Sequence, residues 1–348
     1  MPILVTGASG HLGANLVRKL LDDGHHVRVL LREGSNNAAV DGLDVERVYG
    51  DLRDFAQITT AVQGCNYIYH CAANISTIHD RSELKQEIYD CNVMGTIHIL
   101  QAALEAGVSK VVVSGSFSAV GHQPEKPSDE TVPFYPFSRH LPYGFTKAFV
   151  EHECLKAFAN GLDVVVAVSC AILGSHDYKP SRMGRTLLDF ANGKLPAYVP
   201  GGFEFVSTKD IVNGHILAML KGRAGQKYIF STEFITVDEL MAIFEEVTGC
   251  PRPSLRIPGV VMAGVAGVAD WFMPRFFPQI PRRFTSGAVH ILRMHRHADI
   301  SKAINELGYQ PTSIYASIQE AYDCFIRRGL ITPGGKNITF TRPKENLS

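Results

Sequence analysis

Thr6-Gly7-Ala8-Ser9-Gly10-His11-Leu12-Gly13 constrains what this chain can fold into more than any other stretch. It follows the apolar run Ile3-Leu4-Val5 and precedes the amphipathic stretch Ala14 to Asp23, so it reads as a turn between a strand and a helix. Glycines at this spacing let the backbone turn sharply and approach a ligand closely, and the helix that follows offers free N–H groups at its positive end. In that context the turn points to a pyrophosphate cradle within a parallel α/β sheet. A tight structural turn is the bland alternative.

The segments downstream keep the same rhythm. Strand-like runs recur at Val27 to Leu31, Val45 to Tyr49, Tyr67 to Cys71, Lys110 to Val113 and Val164 to Val168. Amphipathic stretches such as Asn92 to Ala106 separate them, and Gly24 and Gly107 fall where helices should stop. After Gly174 the pattern becomes irregular: a loop over residues 175–181, a helix near Arg185 to Asn192, a turn at Gly201-Gly202, a helix from Thr208 to Leu220 and a strand at Tyr228 to Phe230. Thr236 and Glu239 open the next helix as a capping box. The expected division is a dinucleotide-binding domain over 1–174, to which 206–231 returns, a substrate-binding module over 175–205 and 232–330, and a polar tail over 331–348.

Composition excludes several classes. Lys+Arg and Asp+Glu balance at 34 each, so no net field recruits nucleic acid or anionic lipid. The seven cysteines include no CxxC pair, which argues against a structural zinc or a disulfide framework. His290, His295 and His297 lack metal-ligand spacing and read as part of a surface helix. The apolar stretch Ile257 to Phe272 is too short to span a bilayer and is broken by Pro258 and Asp270. With no leader before Pro2, the expected compartment is the cytoplasm.

Three further signals carry chemistry. The second strand ends Leu31-Arg32-Glu33; Arg32 suits a ribose 2′-phosphate and so favours NADP, with NAD the alternative if Glu33 supplies the acid. Asp51, after the third strand, is positioned either to accept from an adenine amine or to cap the next helix. Tyr143 and Lys147 lie four residues apart, on one face of a helix, where an ammonium would pull a phenol's pKa down from about 10. Such a tyrosine exchanges a proton with a substrate oxygen during hydride transfer. Ser116, after the apolar strand Val111 to Val113, would hold that oxygen.

Together these motifs resemble the extended short-chain dehydrogenase/reductases of the NAD-dependent epimerase/dehydratase superfamily. The likeness runs from Pro2 to about Leu330 and also rests on GDL at Gly50 to Leu52, HCAA at His70 to Ala73, NVMGT at Asn92 to Thr96 and SKAINELGY at Ser301 to Tyr309. VRVLLR (Val27 to Arg32) and GSHDYKPS (Gly174 to Ser181) narrow it toward dihydroflavonol-4-reductase-like proteins and their 3β-hydroxysteroid dehydrogenase relatives. The resemblance implies a Rossmann-type doubly wound parallel sheet with a smaller C-terminal substrate-binding module. It implies Gly7, Gly10, His11, Leu12 and Gly13 at the pyrophosphate, and Ala72 and Ala73 at the adenosine ribose. Tyr143 would be the acid/base, with Lys147 also at the nicotinamide ribose, Ser116 as the catalytic hydroxyl and Asn92 steadying the site's backbone. Arg32, Asp51, Leu52, Ser114, Cys170 and Ile172 complete the expected cofactor lining. Ser169-Cys170 replaces the family's usual Asn-Pro; Cys170 reads as pocket lining.

Ser116 is followed by Phe117 and Ser118 rather than an acidic pair, which disfavours sugar dehydration, and Glu204 would repel a sugar diphosphate. The expected reaction is NAD(P)H-dependent reduction of a ketone or aldehyde on a hydrophobic or aromatic small molecule. The aromatic residues Trp271, Phe272, Phe276 and Phe277 would help receive it. A nucleotide-sugar epimerase and a non-catalytic, cofactor-binding redox sensor are the alternatives. Ile97, Ile99 and Leu100 would permit a homodimer through the helices that carry Asn92 and Tyr143.

Overall fold

A computed structural model describes residues 1–75, 82–134, 142–258 and 286–331. A seven-stranded parallel sheet is built from β1 (Ile3–Thr6), β2 (Val27–Leu31), β3 (Glu46–Tyr49), β4 (Tyr67–His70), β5 (Lys110–Ser116), β6 (Val164–Ser169) and β10 (Lys227–Phe230). Their spatial order is β3-β2-β1-β4-β5-β6-β10. Strands such as Val111-Val112-Val113 are apolar without alternation because both faces of the sheet are covered. One layer holds α1 (His11–Asp22) and α7 (Thr208–Lys221), which pack together; the other holds α2 (Phe55–Val62), α4 (Gly95–Glu105) and α5 (Pro142–Ala159). The chain reverses direction across the sheet between β1 and β4, and a crevice opens at their carboxyl ends.

α1 shows how the local sequence sets this up. Leu12, Leu16, Val17 and Leu20 fall on one face and are buried in the core, each stabilising by about 1.5–3 kcal/mol as an upper bound. Gly24, at φ +79°, ends the element in a left-handed turn.

A smaller sheet, in the order β11 (Glu233–Thr236), β9 (Gly202–Ser207), β7 (Ala171–Leu173), carries a second core. β11 runs antiparallel and β7 parallel to β9. Phe190, Phe205, Phe244 and Phe325 fill this core beneath α6 (Arg182–Ala191), α8 (Val237–Thr248) and α10 (Ile314–Arg327). The capping box opens α8 as expected. Ala303, Leu307 and Tyr309, from the SKAINELGY stretch, pack instead into the large core.

Three expectations need correction. Gly202 is not part of a free turn but begins β9, because the residues after it pair with β11. Ile99 and Leu100 face the core, so the exposed apolar side chains of α4 and α5 are Leu104, Phe149, Leu155 and Phe158. His290 ends in a short helix, α9 (Ser286–Arg293), but His295 and His297 lie beyond it, the latter against the Phe234 ring at 4.0 Å. The aromatic tract around Trp271, most of the Ile257 to Phe272 stretch and the tail from 332 lie outside the described residues. Among the described residues no helix is long and apolar enough to cross a membrane.

Candidate active site

The crevice is a cavity of about 750 Å³. Its floor is the glycine turn. Gly7 has φ +72°, and a Cβ there would meet Ala72 N at 2.6 Å; at Gly13 a Cβ would meet Gly7 O at 2.3 Å. Side chains at either position would fill the cradle or break it. Gly10 caps α1 without a side-chain bond, which leaves the first N–H groups of the helix for a ligand. The turn therefore fits a dinucleotide pyrophosphate.

Every residue expected at the cofactor lines this cavity: the turn itself with His11 and Leu12, Arg32, Asp51, Leu52, Ala72, Ala73, Ser114, Tyr143, Lys147, Cys170 and Ile172. Ser116 lines it too. Asn92 does not; it is buried behind the wall, 1% exposed. Asp51 forms an ion pair with Arg53 at 2.6 Å, and that hydrogen bond holds its carboxyl below the usual range. The cap on α2 comes from Asp54, which accepts from Gln57 N.

At the inner end, β5 delivers Ser116 and α5 delivers Tyr143 and Lys147. The Ser116 hydroxyl bonds to Ser118 Oγ at 2.8 Å, and Ser116 and Tyr143 line the same cavity. Lys147 Nζ donates to the Ser114 carbonyl at 2.7 Å, and burial pulls its pKa down to about 8. The expected acidic phenol is not found. Burial pushes the Tyr143 pKa up, and the Ser116 hydroxyl opposes it only in part.

Behind these groups runs a buried polar network in which sequence reasoning named a steadying role for Asn92 alone. Thr96 donates to Asn92 O at 2.6 Å, so its oxygen accepts from His70 Nε2 at 3.0 Å; the other ring nitrogen of His70 then accepts from Thr6 at 2.7 Å. Thr6 in turn accepts from Ala72 N at 3.3 Å, tying the network to the glycine turn. Asn92 sits in a π-turn, Asp90–Met94, a feature frequent at functional sites. Its carboxamide accepts from Asn74 N at 2.6 Å and donates to Asn74 O and to Thr146, whose hydroxyl holds the Tyr143 carbonyl at 2.9 Å. One side chain thus fixes both the loop after β4 and the first turn of α5. On the far side, Ser114 donates to His215 Nε2 at 2.8 Å, while His215 Nδ1 donates to Ile211 O. Burial lowers the pKa of His70 to about 3 and of His215 to about 4, so both are neutral.

Beyond Ser116 a second cavity of about 210 Å³ is lined mainly by apolar groups, among them Phe117, Ala171, Phe203, Ile291 and Met294. Arg296 borders it, stacked 3.9 Å over the Phe117 ring and donating to Val120 O and Gly121 O. Glu204 borders it as well, but its oxygens accept from Ser231 Oγ and Ala298 N. It therefore acts as a structural acceptor and not as a group aimed at a ligand.

These features recur in known proteins. The model of the NAD dependent epimerase/dehydratase family matches residues 3–230. Sterol demethylase protein B of Methylococcus capsulatus is 44% identical, across 95% of this chain and 100% of that protein. A 3β-hydroxysteroid dehydrogenase/Δ5→4-isomerase of Mycobacterium tuberculosis is 31% identical, across 92% of this chain and 89% of its own. The crystal structure of a dTDP-glucose 4,6-dehydratase from Streptomyces venezuelae, with NAD bound, superposes with a TM-score of 0.77 at 26% identity, covering 96% of this chain and 99% of that one. A glycine cradle at a switch point, joined to relatives along almost its full length, makes this chain a member of the NAD-dependent epimerase/dehydratase family, an extended short-chain dehydrogenase/reductase that uses a nicotinamide cofactor.

Proposed function

We propose that this protein interconverts a secondary alcohol and a ketone on a hydrophobic, ring-containing small molecule, with NADP(H) as the redox partner. The observation that carries the reading is that Ser116 and Tyr143 line one cavity, and that Ser116 also lines the small apolar cavity beyond it. A substrate oxygen held there would accept hydrogen bonds from both groups, while its carbon skeleton rests against Phe117, Phe203, Ile291 and Met294. The bound nicotinamide supplies or takes up the hydride. Tyr143, kept protonated by burial, hands its proton to the carbonyl oxygen during reduction and takes it back during oxidation. Lys147, an ammonium below about pH 8, keeps positive charge beside the developing oxyanion. The sterol and steroid relatives support a polycyclic substrate, and Arg32 in the cofactor cavity supports NADP.

The test is NADPH oxidation against a panel of cyclic ketones, steroid and non-steroid. Tyr143→Phe should lower kcat by about 10²–10⁴ while cofactor affinity stays unchanged. Equal turnover by wild type and variant overturns the mechanism.

A further inference from the structure

Lys179 reaches the cofactor cavity from the far half of the chain. It stands on the loop after β7, and its Nζ donates to Ser9 Oγ in the glycine turn at 3.0 Å. That loop is firmly held. His11 Nε2 bonds to the carbonyls of Gly174 and Ser175 at 3.2 and 3.0 Å, and Asn15 donates to Ser175 O at 2.8 Å. Arg328 donates to the carbonyls of Asp177 and Tyr178 at 2.7 and 3.0 Å. The Tyr178 ring has Arg18 5.4 Å and Arg328 4.4 Å from its centroid. The lysine's backbone is therefore pre-positioned over the turn.

Arg32, at the carboxyl end of β2, lines the same cavity as Lys179 and Ser9. Among the described residues neither Arg32 nor Lys179 has an ion-pair partner, whereas nearby Arg53 is neutralised by Asp51. Partial burial, and the charge of Arg32 after it, hold the Lys179 pKa below its ordinary value, so the two cations feel each other. The Asp51 carboxylate, which also feels Arg32, is taken up by Arg53, so the two cations that share the cavity favour a dianion. The pyrophosphate has its own donors in the turn and at the start of α1. A phosphate monoester on the ribose, close to −2 at neutral pH, is the group that matches the remaining pair.

We propose that Lys179 and Arg32 together form the subsite for the 2′-phosphate of NADP(H), so that a residue of the loop after β7 helps to set cofactor choice. This rests on the NADP reading above. Ser9 steadies the ammonium and stands ready to donate to the same phosphate.

The experiment is calorimetric titration of the full-length protein with adenosine 2′,5′-bisphosphate and with 5′-AMP, ligands that differ only in the 2′-phosphate and need no turnover. Wild type should prefer the bisphosphate by about 100-fold, two charge-assisted contacts at about tenfold each. Lys179→Gln should reduce that preference about tenfold with 5′-AMP affinity unchanged, which also shows that the variant is folded; Lys179→Arg should retain it. A bisphosphate preference that survives Lys179→Gln, or an equal loss for both ligands, overturns the role of Lys179 and leaves the NADP reading standing. A wild type that does not distinguish the ligands overturns both.

Discussion

At the Tyr143 end of the cavity the polar groups are buried and bonded to one another, whereas at the Arg32 end they are charged and open to water. Burial decides protonation at the first: Tyr143 is held as a phenol, Lys147 drops to about 8, and His70 and His215 are neutral. At the second, charge pairing decides: Arg53 secures the Asp51 carboxylate, while Arg32 and Lys179 line the cavity with no ion-pair partner among the described residues. The inner end is built to do proton chemistry in a fixed geometry. The outer end is built to recognise charge. Disturbing the first should change rates and acid stability; disturbing the second should change affinity and salt dependence.

The largest difference should appear with pH. Lys147 titrates near 8, well below the ordinary lysine value, because burial penalises its charged form. The ammonium is present below that pH and lost above it, so kcat for ketone reduction should fall about tenfold per unit above pH 8. Lys147→Met should be slow and flat across the same range. An equally steep decline in that variant would move the titration to another group.

Next comes Asn92, a positioning residue that touches neither cavity. Asn92→Ala strands the partly buried Asn74 N–H and carbonyl, costing about 1–3 kcal/mol of stability for each, and removes one of the two bonds of the Thr146 hydroxyl. Because Thr146 holds the turn that carries Tyr143, kcat should fall about tenfold, with KM for the cofactor nearly unchanged. Asn92→Asp keeps the acceptor for Asn74 N–H but loses both donated bonds, and should recover only part of the rate. A KM effect equal to the kcat effect would mean that Asn92 supports the whole crevice instead of Tyr143 alone.

How far the two ends could be read from sequence follows the same divide. The glycine turn, Arg32 and the Tyr143–Lys147 pair are local patterns, and each reaches the cavity. The parallel sheet was legible because apolar runs such as Val111 to Val113 alternate with amphipathic helices. What escaped depends on residues far apart in the chain. β9 is a strand because β11 and β7 lie beside it. Lys179 and Ser9 meet across the fold, as do Ser114 and His215. The Tyr143 pKa was read in the wrong direction because a motif reveals the lysine but not the depth of burial.

The smallest effect concerns acid stability, where the buried end should again differ from the open one. His215 accepts from Ser114 and donates to Ile211 O, an arrangement available only to the neutral ring. Its folded pKa, about 4, lies below the unfolded value of about 6.5, so the unfolded chain binds one more proton between these limits. Stability therefore rises with pH through this window, and is lost as pH falls from about 6.5 toward 4, at up to about 1.4 kcal/mol per unit from this residue. His70 adds a slope of the same sign that continues toward pH 3. In urea denaturation followed from pH 6.5 to 4.5, His215→Asn should be less stable than wild type at pH 6.5 yet show a shallower decline. Arg53→Gln, at the open end, should leave the slope over that window as it is, because the Asp51 carboxyl it faces titrates lower still. A His215→Asn curve parallel to wild type would mean that the ring is protonated in the folded protein, and that water reaches the inner end as freely as it reaches Arg32.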